Sequence, residues 1–214
     1  LRNVAKKFGI KVKWYSLKDP EAGIVRSVLR IPGDHNVSNA LAALNLGRVL
    51  GIAETHILQA LGRFTGAWRR FEFMGMHNGA FVFNDYGHHP SEIIATLTAA
   101  RQRFPFRRIV CVYQPHQYQR LAHLWDGFIN AFDLADHILM LPVYDVVGRE
   151  TDNARTSVNS EKLVQELASR GKHAEHSASF DYAKQWIHNN SKDGDVVMIM
   201  GAGDIYDLAK EVVS

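Results

Sequence analysis

The sequence predicts an α/β protein whose larger part is a doubly wound, mostly parallel sheet. From residue 80 onward, short continuous apolar runs alternate with segments that have the apolar spacing of amphipathic helices. Polar clusters follow most of these runs, as expected where parallel strands end at one edge of a sheet. Residues 1–69 hold fewer strand patterns and are predicted to be a separate, incomplete α/β piece.

Composition and charge limit the classes of function. With 214 residues, 46% hydrophobic and 22% charged, the chain has the composition of an ordinary globular protein. No apolar run approaches the ~20 residues that cross a bilayer, so a membrane partner is not expected. The net charge is +3 and the basic residues are mixed with acidic ones, which argues against nucleic acid. The single cysteine, Cys111, rules out an intrachain disulfide and favours a cytoplasmic protein.

The first 69 residues are predicted to contain two strands and two helices. Residues 11–16 and 24–31 look like strands, and residues 36–50 and 53–64 have helical spacing. These pieces cannot close a sheet of their own, and the sequence opens inside a helical pattern. We therefore expect the chain to be a fragment of a longer protein.

The remaining residues predict a hairpin followed by regular alternation of strands and helices. Residues 71–83 alternate about Asn78-Gly79, a dipeptide typical of tight hairpin turns. The other predicted strands are 109–113, 137–143, 173–176 and 196–200. The predicted helices are 90–103, 121–132, 160–169, 180–189 and 205–213, and a long polar loop precedes the third of them.

The most informative stretch is the turn from Asn84 to Pro90, between a strand pattern and a helix pattern. Pro90 suits the first helical position, and the N–H groups of a helix N-terminus favour anions. His88 is predicted to contact a carboxylate substrate or to accept a proton from an amine, and capping of the helix by a histidine is the alternative. Adjacent histidines point in different directions, so we expect no metal site here.

The second cluster, 114–120, supplies a cation. Arg120 follows a predicted strand and could hold a carboxylate through two parallel hydrogen bonds. Two further clusters, Tyr144 to Glu150 and Gly201 to Asp204, follow later strands. For the last one, a phosphate-binding turn and tight strand-to-helix packing both remain open.

In the first segment, Asn36 and Asn39 are three residues apart and share one face of a predicted helix, next to His35. Their side chains suit recognition of a base edge, although one asparagine could simply cap the helix. Arg69 and Arg70 fall at the predicted junction, where an arginine could reach a phosphate or remain in a solvated linker.

Taken together, these motifs resemble the Mur ligase family over essentially the whole chain. The motifs that carry the resemblance are His35-Asn36-x-x-Asn39-Ala40, Gly66 followed by Arg69-Arg70-Phe71, Asp85-Tyr86-Gly87-His88-His89-Pro90, Gln114-Pro115-His116 and Gly201-Ala202-Gly203-Asp204. The resemblance implies that residues 1–69 are the end of a central ATP-binding domain. It implies a Rossmann-like, amino-acid-binding C-terminal domain for residues 70–214.

The implied activity is ATP-dependent joining of L-alanine to UDP-N-acetylmuramate through an acyl phosphate, in peptidoglycan precursor synthesis. ATP and Mg²⁺ are the implied cofactors, bound mainly by a part of the enzyme outside this chain, so the fragment is expected to be inactive alone. The Asp-Tyr-Gly-His-His-Pro string is the specific part of the resemblance, since it is typical of the member that adds L-alanine.

The resemblance also assigns roles to individual residues. His35, Asn36, Asn39, Arg70 and Asp85 would contact ATP. The incoming amino acid would be surrounded by Tyr86, His88, Gln117 and Arg120, with His88 and Arg120 as the catalytic pair.

One departure concerns the amino acid. Gln117 stands where many family members have an arginine, which removes one of two cations from the expected carboxylate site. The alternatives are a murein-tripeptide recycling ligase of the same family and a non-catalytic α/β ligand-binding module. A homodimer is also compatible with the sequence.

Overall fold

The structure is a computed structural model that describes residues 2–9, 11–146 and 152–214. The chain divides into two compact units, Leu1–Thr65 and Gly66–Ser214. Among the described residues, no helix has the length and apolar character needed to cross a membrane.

The described part of the first unit is helical. Its helices are α1 (Arg2–Lys7), α2 (Pro20–Val28), α3 (Asp34–Val49) and α4 (Glu54–Arg63). The predicted helices 36–50 and 53–64 are therefore confirmed as α3 and α4. A small core forms where α2, α3 and α4 meet, and it contains Ala22, Val25, Val37, Ala40, Leu41, Leu44 and Ile57.

Both strands predicted in the first unit are wrong. Residues 11–16 are exposed and lack regular structure, and the described part of this unit offers no strand to pair with them. Residues 24–28 belong to α2, although the β-branched residues of 24–31 favoured a strand. The helix starts with Pro20 and Glu21, two residues favoured in a first helical turn. It buries Ala22 and Val25, which are three residues apart.

The second unit has the predicted strand and helix order. Its strands are β1 (Glu72–His77), β2 (Ala80–Asp85), β3 (Ile109–Tyr113), β4 (His137–Met140), β5 (Ala174–His176) and β6 (Val196–Met200). Its helices are α5 (Pro90–Arg103), α6 (Tyr118–His123), α7 (Trp125–Ile129), α8 (Asp152–Ser157), α9 (Ser160–Ser169), α10 (Phe180–Asn190) and α11 (Ile205–Val213).

These strands form one sheet of order β1-β2-β6-β3-β4-β5, in which only β1 is antiparallel to its neighbour. One face packs against α5, α6, α7 and α9, and the other against α10 and α11. Because both faces are covered, β3 and β6 are buried along their whole length, which is why they appear as continuous apolar runs. The predicted α/β class with a mostly parallel sheet is confirmed.

Three details differ from the sequence prediction. The helix predicted at 121–132 is two short helices, α6 and α7, that meet at Leu124. Strand β4 ends at Met140 rather than at residue 143, and Pro142 has no N–H with which to extend the ladder. A helix, α8, lies within the predicted polar loop.

The parallel register aligns the ends of four strands. Asp85 at the end of β2 and Tyr113 at the end of β3 both pair with Met200 of β6. Tyr113 also pairs with Met140 at the end of β4. The loops that follow these four strands therefore start at the same level of one sheet edge.

At the start of β4, the protonation state of His137 affects the stability of the second unit. Its ring stacks on Trp186 at a centroid distance of 4.6 Å, and its Nε2 lies 3.1 Å from Glu175 Oε1. Burial lowers the pKa of His137 below its usual value, although the Glu175 carboxylate opposes this shift. The folded protein thus favours the neutral ring.

We expect acidification to destabilise the second unit in part through His137. With a lowered pKa in the folded state, this group binds fewer protons than in the unfolded chain as the pH falls below about 6.5, so the free energy of unfolding decreases. His137→Phe keeps an aromatic ring near Trp186 but cannot titrate. The free energy of unfolding, measured by hydrogen exchange of β4 amides, should fall less between pH 7.5 and pH 5.5 in this variant than in wild type. An exposed control, His123→Gln, should follow wild type, and identical profiles for all three proteins would contradict the prediction.

Candidate functional site

The candidate site lies at the carboxyl ends of β2, β6, β3 and β4. The loops that follow these strands contain residues 86–89, 201–204, 114–117 and 141–146. Hydrogen bonds and ring contacts join them into one rim, as the polar clusters predicted. Residues 147–150 of the third predicted cluster lie outside the described residues.

Asp85 organises the first loop. Its carboxylate is buried, and it accepts hydrogen bonds from the backbone N–H groups of Gly87 (2.7 Å) and Phe71 (2.8 Å). Burial raises the pKa of Asp85, although the two N–H donors favour the charged form. The residue predicted to contact the nucleotide therefore connects the start of the hairpin to the turn.

The two adjacent histidines have different local roles. His89 caps α5, since its Nδ1 accepts from the N–H of Ser91. Glu92 accepts from the N–H groups of both His88 and His89. Burial opposes ionisation of Glu92, but these two hydrogen bonds and the nearby His88 and Arg70 lower its pKa. The capping alternative thus applies to His89 and leaves the side chain of His88 for the rim.

His88 has a defined tautomer. Its Nδ1 lies 3.0 Å from the carbonyl oxygen of Tyr86, and a carbonyl can only accept, so Nδ1 must carry a proton. In the neutral ring, Nε2 is then the basic nitrogen. The rings of Tyr86 and His88 meet edge to face at 5.3 Å.

His116 has the opposite tautomer and connects the two predicted corners of the site. Arg120 Nη1 lies 3.3 Å from His116 Nδ1, and because a guanidinium can only donate, this Nδ1 accepts and the ring proton is on Nε2. The His116 ring lies 5.9 Å from that of His88 and stacks on Tyr144 at 5.2 Å and 12°. Tyr86, His88, His116 and Tyr144 thus form a continuous ring row across three strand ends.

Gln117 contributes an unusual backbone to this rim. It has φ 71° and directly precedes α6, and its N–H donates to the carbonyl oxygen of Tyr144 at 3.0 Å. Left-handed backbone is costly for a residue other than glycine, by about 1–3 kcal/mol, and such positions cluster at functional sites. The contact with Tyr144 fixes where the loop enters α6.

The two junction arginines differ in environment. Arg69 is buried, and its guanidinium donates to Asn84 Oδ1 and to the carbonyl oxygens of Gly201 and Gly203. Burial lowers the pKa of Arg69. The side chain of Arg70 is 49% exposed and lies 3.7 Å from Glu92 Oε1. Arg70 is therefore the one of the pair that is available to solvent.

In the first unit, the three predicted nucleotide contacts share the start of α3. His35 and Asn36 are partly exposed and Asn39 is exposed. Asn36 Nδ2 donates to the carbonyl oxygen of Pro32 at 2.7 Å, so this side chain also fixes the helix start. Throughout the described residues, no group of three or more His, Cys, Asp or Glu side chains could hold a metal ion.

The structure thus brings Tyr86, His88, Gln117 and Arg120 to one rim. Sequence reasoning missed three contributors to it. His116 belonged to a motif but had no assigned role. Tyr144 belonged to a cluster whose function was not assigned. Arg69 was named only together with Arg70 as a residue of the predicted junction. No local pattern signals that an arginine is buried beside a glycine turn.

Comparison with known proteins gives a consistent result. The family model described as Mur ligase, glutamate ligase domain, matches residues 69–203. The UDP-N-acetylmuramate–L-alanine ligase of Clostridium botulinum (strain Okra / Type B1) is 38% identical over 186 residues, which cover 87% of this chain and 40% of that protein. The ligase of the same name from Clostridium kluyveri (strain ATCC 8527) is 37% identical over 182 residues, 85% of this chain and 39% of that protein.

Solved structures agree with these relatives. UDP-N-acetylmuramate-alanine ligase MurC from Thermotoga maritima has a TM-score of 0.69 and 31% identity over 86% of this chain and 38% of its own. A murein peptide ligase from Psychrobacter arcticus has a TM-score of 0.63 and 26% identity over 86% of this chain and 37% of its own. The chain spans about two-fifths of the length of the relatives that it matches.

We expect Asp85→Asn to loosen the turn that carries Tyr86 and His88. An amide nitrogen cannot accept a hydrogen bond, so the N–H of Phe71 or of Gly87 would lose its partner, at a cost of about 1–3 kcal/mol. Hydrogen exchange of at least one of these two amides should accelerate relative to wild type. Asp133→Asn, at an exposed aspartate, serves as control, and unchanged exchange in Asp85→Asn would contradict the assigned contacts.

Proposed function

We propose, from the premise that this chain belongs to the Mur ligase family, that it forms the acceptor-binding end of an ATP-dependent ligase. The proposed reaction joins L-alanine to UDP-N-acetylmuramate in peptidoglycan precursor synthesis. The 37–38% identity to UDP-N-acetylmuramate–L-alanine ligases supports this choice of acceptor. Residues 1–69 would be the end of the central ATP-binding domain, and residues 70–214 the C-terminal domain. In this proposal the ligase works in the cytoplasm.

One observation carries the proposal: a basic histidine and an arginine share one rim, and His116 connects them. A free amino acid is a small zwitterion whose carboxylate and ammonium groups need different partners. His116 contacts the His88 ring on one side and the Arg120 guanidinium on the other. A proton acceptor and a cation therefore lie on either side of one imidazole ring, as binding of the two ends of one amino acid requires.

The chemistry follows from the tautomers. Arg120 would bind the carboxylate, with Gln117 contributing at most a neutral hydrogen bond. Nε2 of His88 would accept a proton from the ammonium group, which frees the amine as a nucleophile. Fixing the carboxylate also directs the amine, and such orientation can contribute several kcal/mol to lowering the barrier. Tyr86 would bound the pocket beside His88.

ATP, when bound, supplies the phosphoryl group that activates the muramyl carboxylate as an acyl phosphate, which the amine then attacks with release of phosphate. In this chain the half-exposed Arg70 would contact ATP phosphates or ribose. His35, Asn36 and Asn39 would contact the adenine side. Asp85 would act near the ribose mainly by ordering its turn. Mg²⁺ would be held by groups outside the described residues, since these offer no cluster of metal ligands.

A murein peptide ligase is the alternative function. The solved structure of such a ligase is 26% identical to this chain, compared with 31% for the alanine ligase structure. The two functions differ in the acceptor, a tripeptide or a single amino acid. Self-association of the protein stays a prediction.

We expect the full-length product of the gene that encodes this chain to release phosphate from ATP only when both UDP-N-acetylmuramate and L-alanine are present. The measurement is phosphate release with each substrate omitted in turn. Replacement of L-alanine by a murein tripeptide should abolish release. Activity with the tripeptide alone would favour the recycling ligase, and no activity with either acceptor would refute a ligase.

We expect Arg120→Ala in the same protein to raise the KM for L-alanine by about 10- to 100-fold, because a hydrogen-bonded charge pair is lost. The KM for ATP should change by less than about twofold, since Arg120 is assigned no ATP contact. Arg170→Ala, which removes an exposed arginine paired with Glu166 on α9, is the matched control. Equal increases in both constants would contradict the role given to Arg120.

A further inference from the structure

The Gly201–Asp204 turn is arranged as an acceptor of hydrogen bonds. A phosphate-binding turn presents backbone N–H groups to its anion. Here the carbonyl oxygens of Gly201 and Gly203 accept from the Arg69 guanidinium. The N–H of Gly201 already donates to the carbonyl oxygen of Asp85 at 3.1 Å. These contacts favour a packing role for the turn over phosphate binding.

On one side, the turn fixes Tyr86 through Arg69. The Arg69 guanidinium carbon lies 4.8 Å from the centre of the Tyr86 ring, within the range of a cation–π contact. The Arg69 carbonyl also accepts from the N–H of Tyr86 at 2.7 Å. Arg69 has φ 55°, and its guanidinium donates to the side-chain oxygen of Asn84 and to two backbone carbonyl oxygens. Its charge is therefore stabilised by carbonyl oxygens and aromatic faces.

On the other side, the turn fixes His116 through Tyr144. A Cβ atom on Gly203 would lie only 2.7 Å from the Tyr144 ring, so the two residues are in direct contact. Tyr144 in turn stacks on His116. Its backbone also pairs with the same loop, since its N–H donates to Pro115 and its carbonyl accepts from Gln117. The ring therefore rests between the turn and the histidine that contacts Arg120.

We propose that the Gly201–Asp204 turn sets the width of the acceptor pocket by holding both of its walls. Arg69 and Tyr144 are the positioning residues: the first holds Tyr86 and, through its ring contact, His88, and the second holds His116 and, through its hydrogen bond, Arg120. The inference rests on the proposed function, since it assigns this geometry to the binding of the amino acid. It adds a use for two clusters that the sequence left open.

Gly203→Ala probes this turn. Gly203 does not have a left-handed backbone, so alanine can adopt its conformation. The added methyl group would act mainly by displacing the Tyr144 ring, at 2.7 Å, and it would also approach Gln114 Oε1, at 3.1 Å. In the full-length enzyme we expect the KM for L-alanine to rise about tenfold or more, because small displacements in a binding site are costly. The KM values for ATP and UDP-N-acetylmuramate should remain within about twofold.

A double-mutant cycle tests the route through Tyr144. In the Tyr144→Ala background the methyl group of Gly203→Ala meets no ring, so Gly203→Ala should have little further effect on the KM for L-alanine. An equal effect of Gly203→Ala in both backgrounds would overturn the inference. Tyr144→Phe keeps the stacked ring and should resemble wild type, whereas Gly23→Ala, at an open helix position, controls for glycine replacement.

Arg69→Lys tests the other wall. Lysine keeps the charge but lacks the planar fork that reaches two carbonyl oxygens and covers a ring. We expect it to raise the KM for L-alanine about tenfold while the KM values for ATP and UDP-N-acetylmuramate stay within about twofold. The lost buried hydrogen bonds will also lower the melting temperature, but destabilisation alone would not be selective for one substrate. A proportional loss for all three substrates would contradict positioning.

A spectroscopic measurement on this chain separates failure of the inference from failure of the proposed function. The ¹⁵N chemical shifts of His116 report which ring nitrogen is protonated. Wild type and Tyr144→Phe should show the proton on Nε2, and Gly203→Ala should shift this signature toward tautomer exchange. If the proteins show the expected shifts but the full-length enzyme has no ligase activity, only the proposed function is refuted. If the His116 shifts of Gly203→Ala equal those of wild type, the positioning of His116 by the turn is refuted.

Discussion

The parallel register of β2, β6, β3 and β4 is the constraint on which the site depends. Asp85, Met200, Tyr113 and Met140 end their strands at one level, so the following loops must share a single edge. β6 is the last strand in sequence but lies between β2 and β3. Its turn is consequently placed between the loops that carry His88 and His116. A site assembled from residues more than one hundred positions apart is thus a direct result of strand order.

Local backbone preferences are violated where these loops meet. Among the described residues, the four non-glycine residues with left-handed backbone are Arg69, Phe71, Asn78 and Gln117. Asn78 belongs to the hairpin turn, where this conformation is ordinary. Of the other three, Gln117 belongs to the rim, and Arg69 and Phe71 precede β1. Each is held by a specific contact: Arg69 by the glycine turn, Phe71 by Asp85, and Gln117 by Tyr144. The strain at these positions is balanced by the hydrogen bonds that hold the rim loops together.

The sequence predicted most of the second unit because its signals are local. Continuous apolar runs marked the buried strands, and Asn78-Gly79 marked the hairpin. Tertiary context decided the failures. Residues 11–16 have strand composition but no partner among the described residues, and the start of α2 outweighed the β-branched residues that follow it. For the site, the shared sheet edge of the loops after β2 and β3 was predictable from the alternation of strands and helices. The burial of Arg69 was not, because it depends on carbonyl groups of a turn more than 130 residues away.

The distribution of charge places two accessible cations on different parts of the rim. Arg69 is committed to protein oxygens and aromatic rings, so its charge serves the fold. Arg70 is half-exposed beside Tyr86 and Glu92, whereas Arg120 donates to His116 Nδ1. The ring row separates these two cations, and its His88 and His116 rings have complementary tautomers, one with a basic Nε2 and the other with a protonated Nε2. In the proposed ligase, a carboxylate on the Arg120 side and a phosphate on the Arg70 side would therefore be bound apart, with Nε2 of His88 between them.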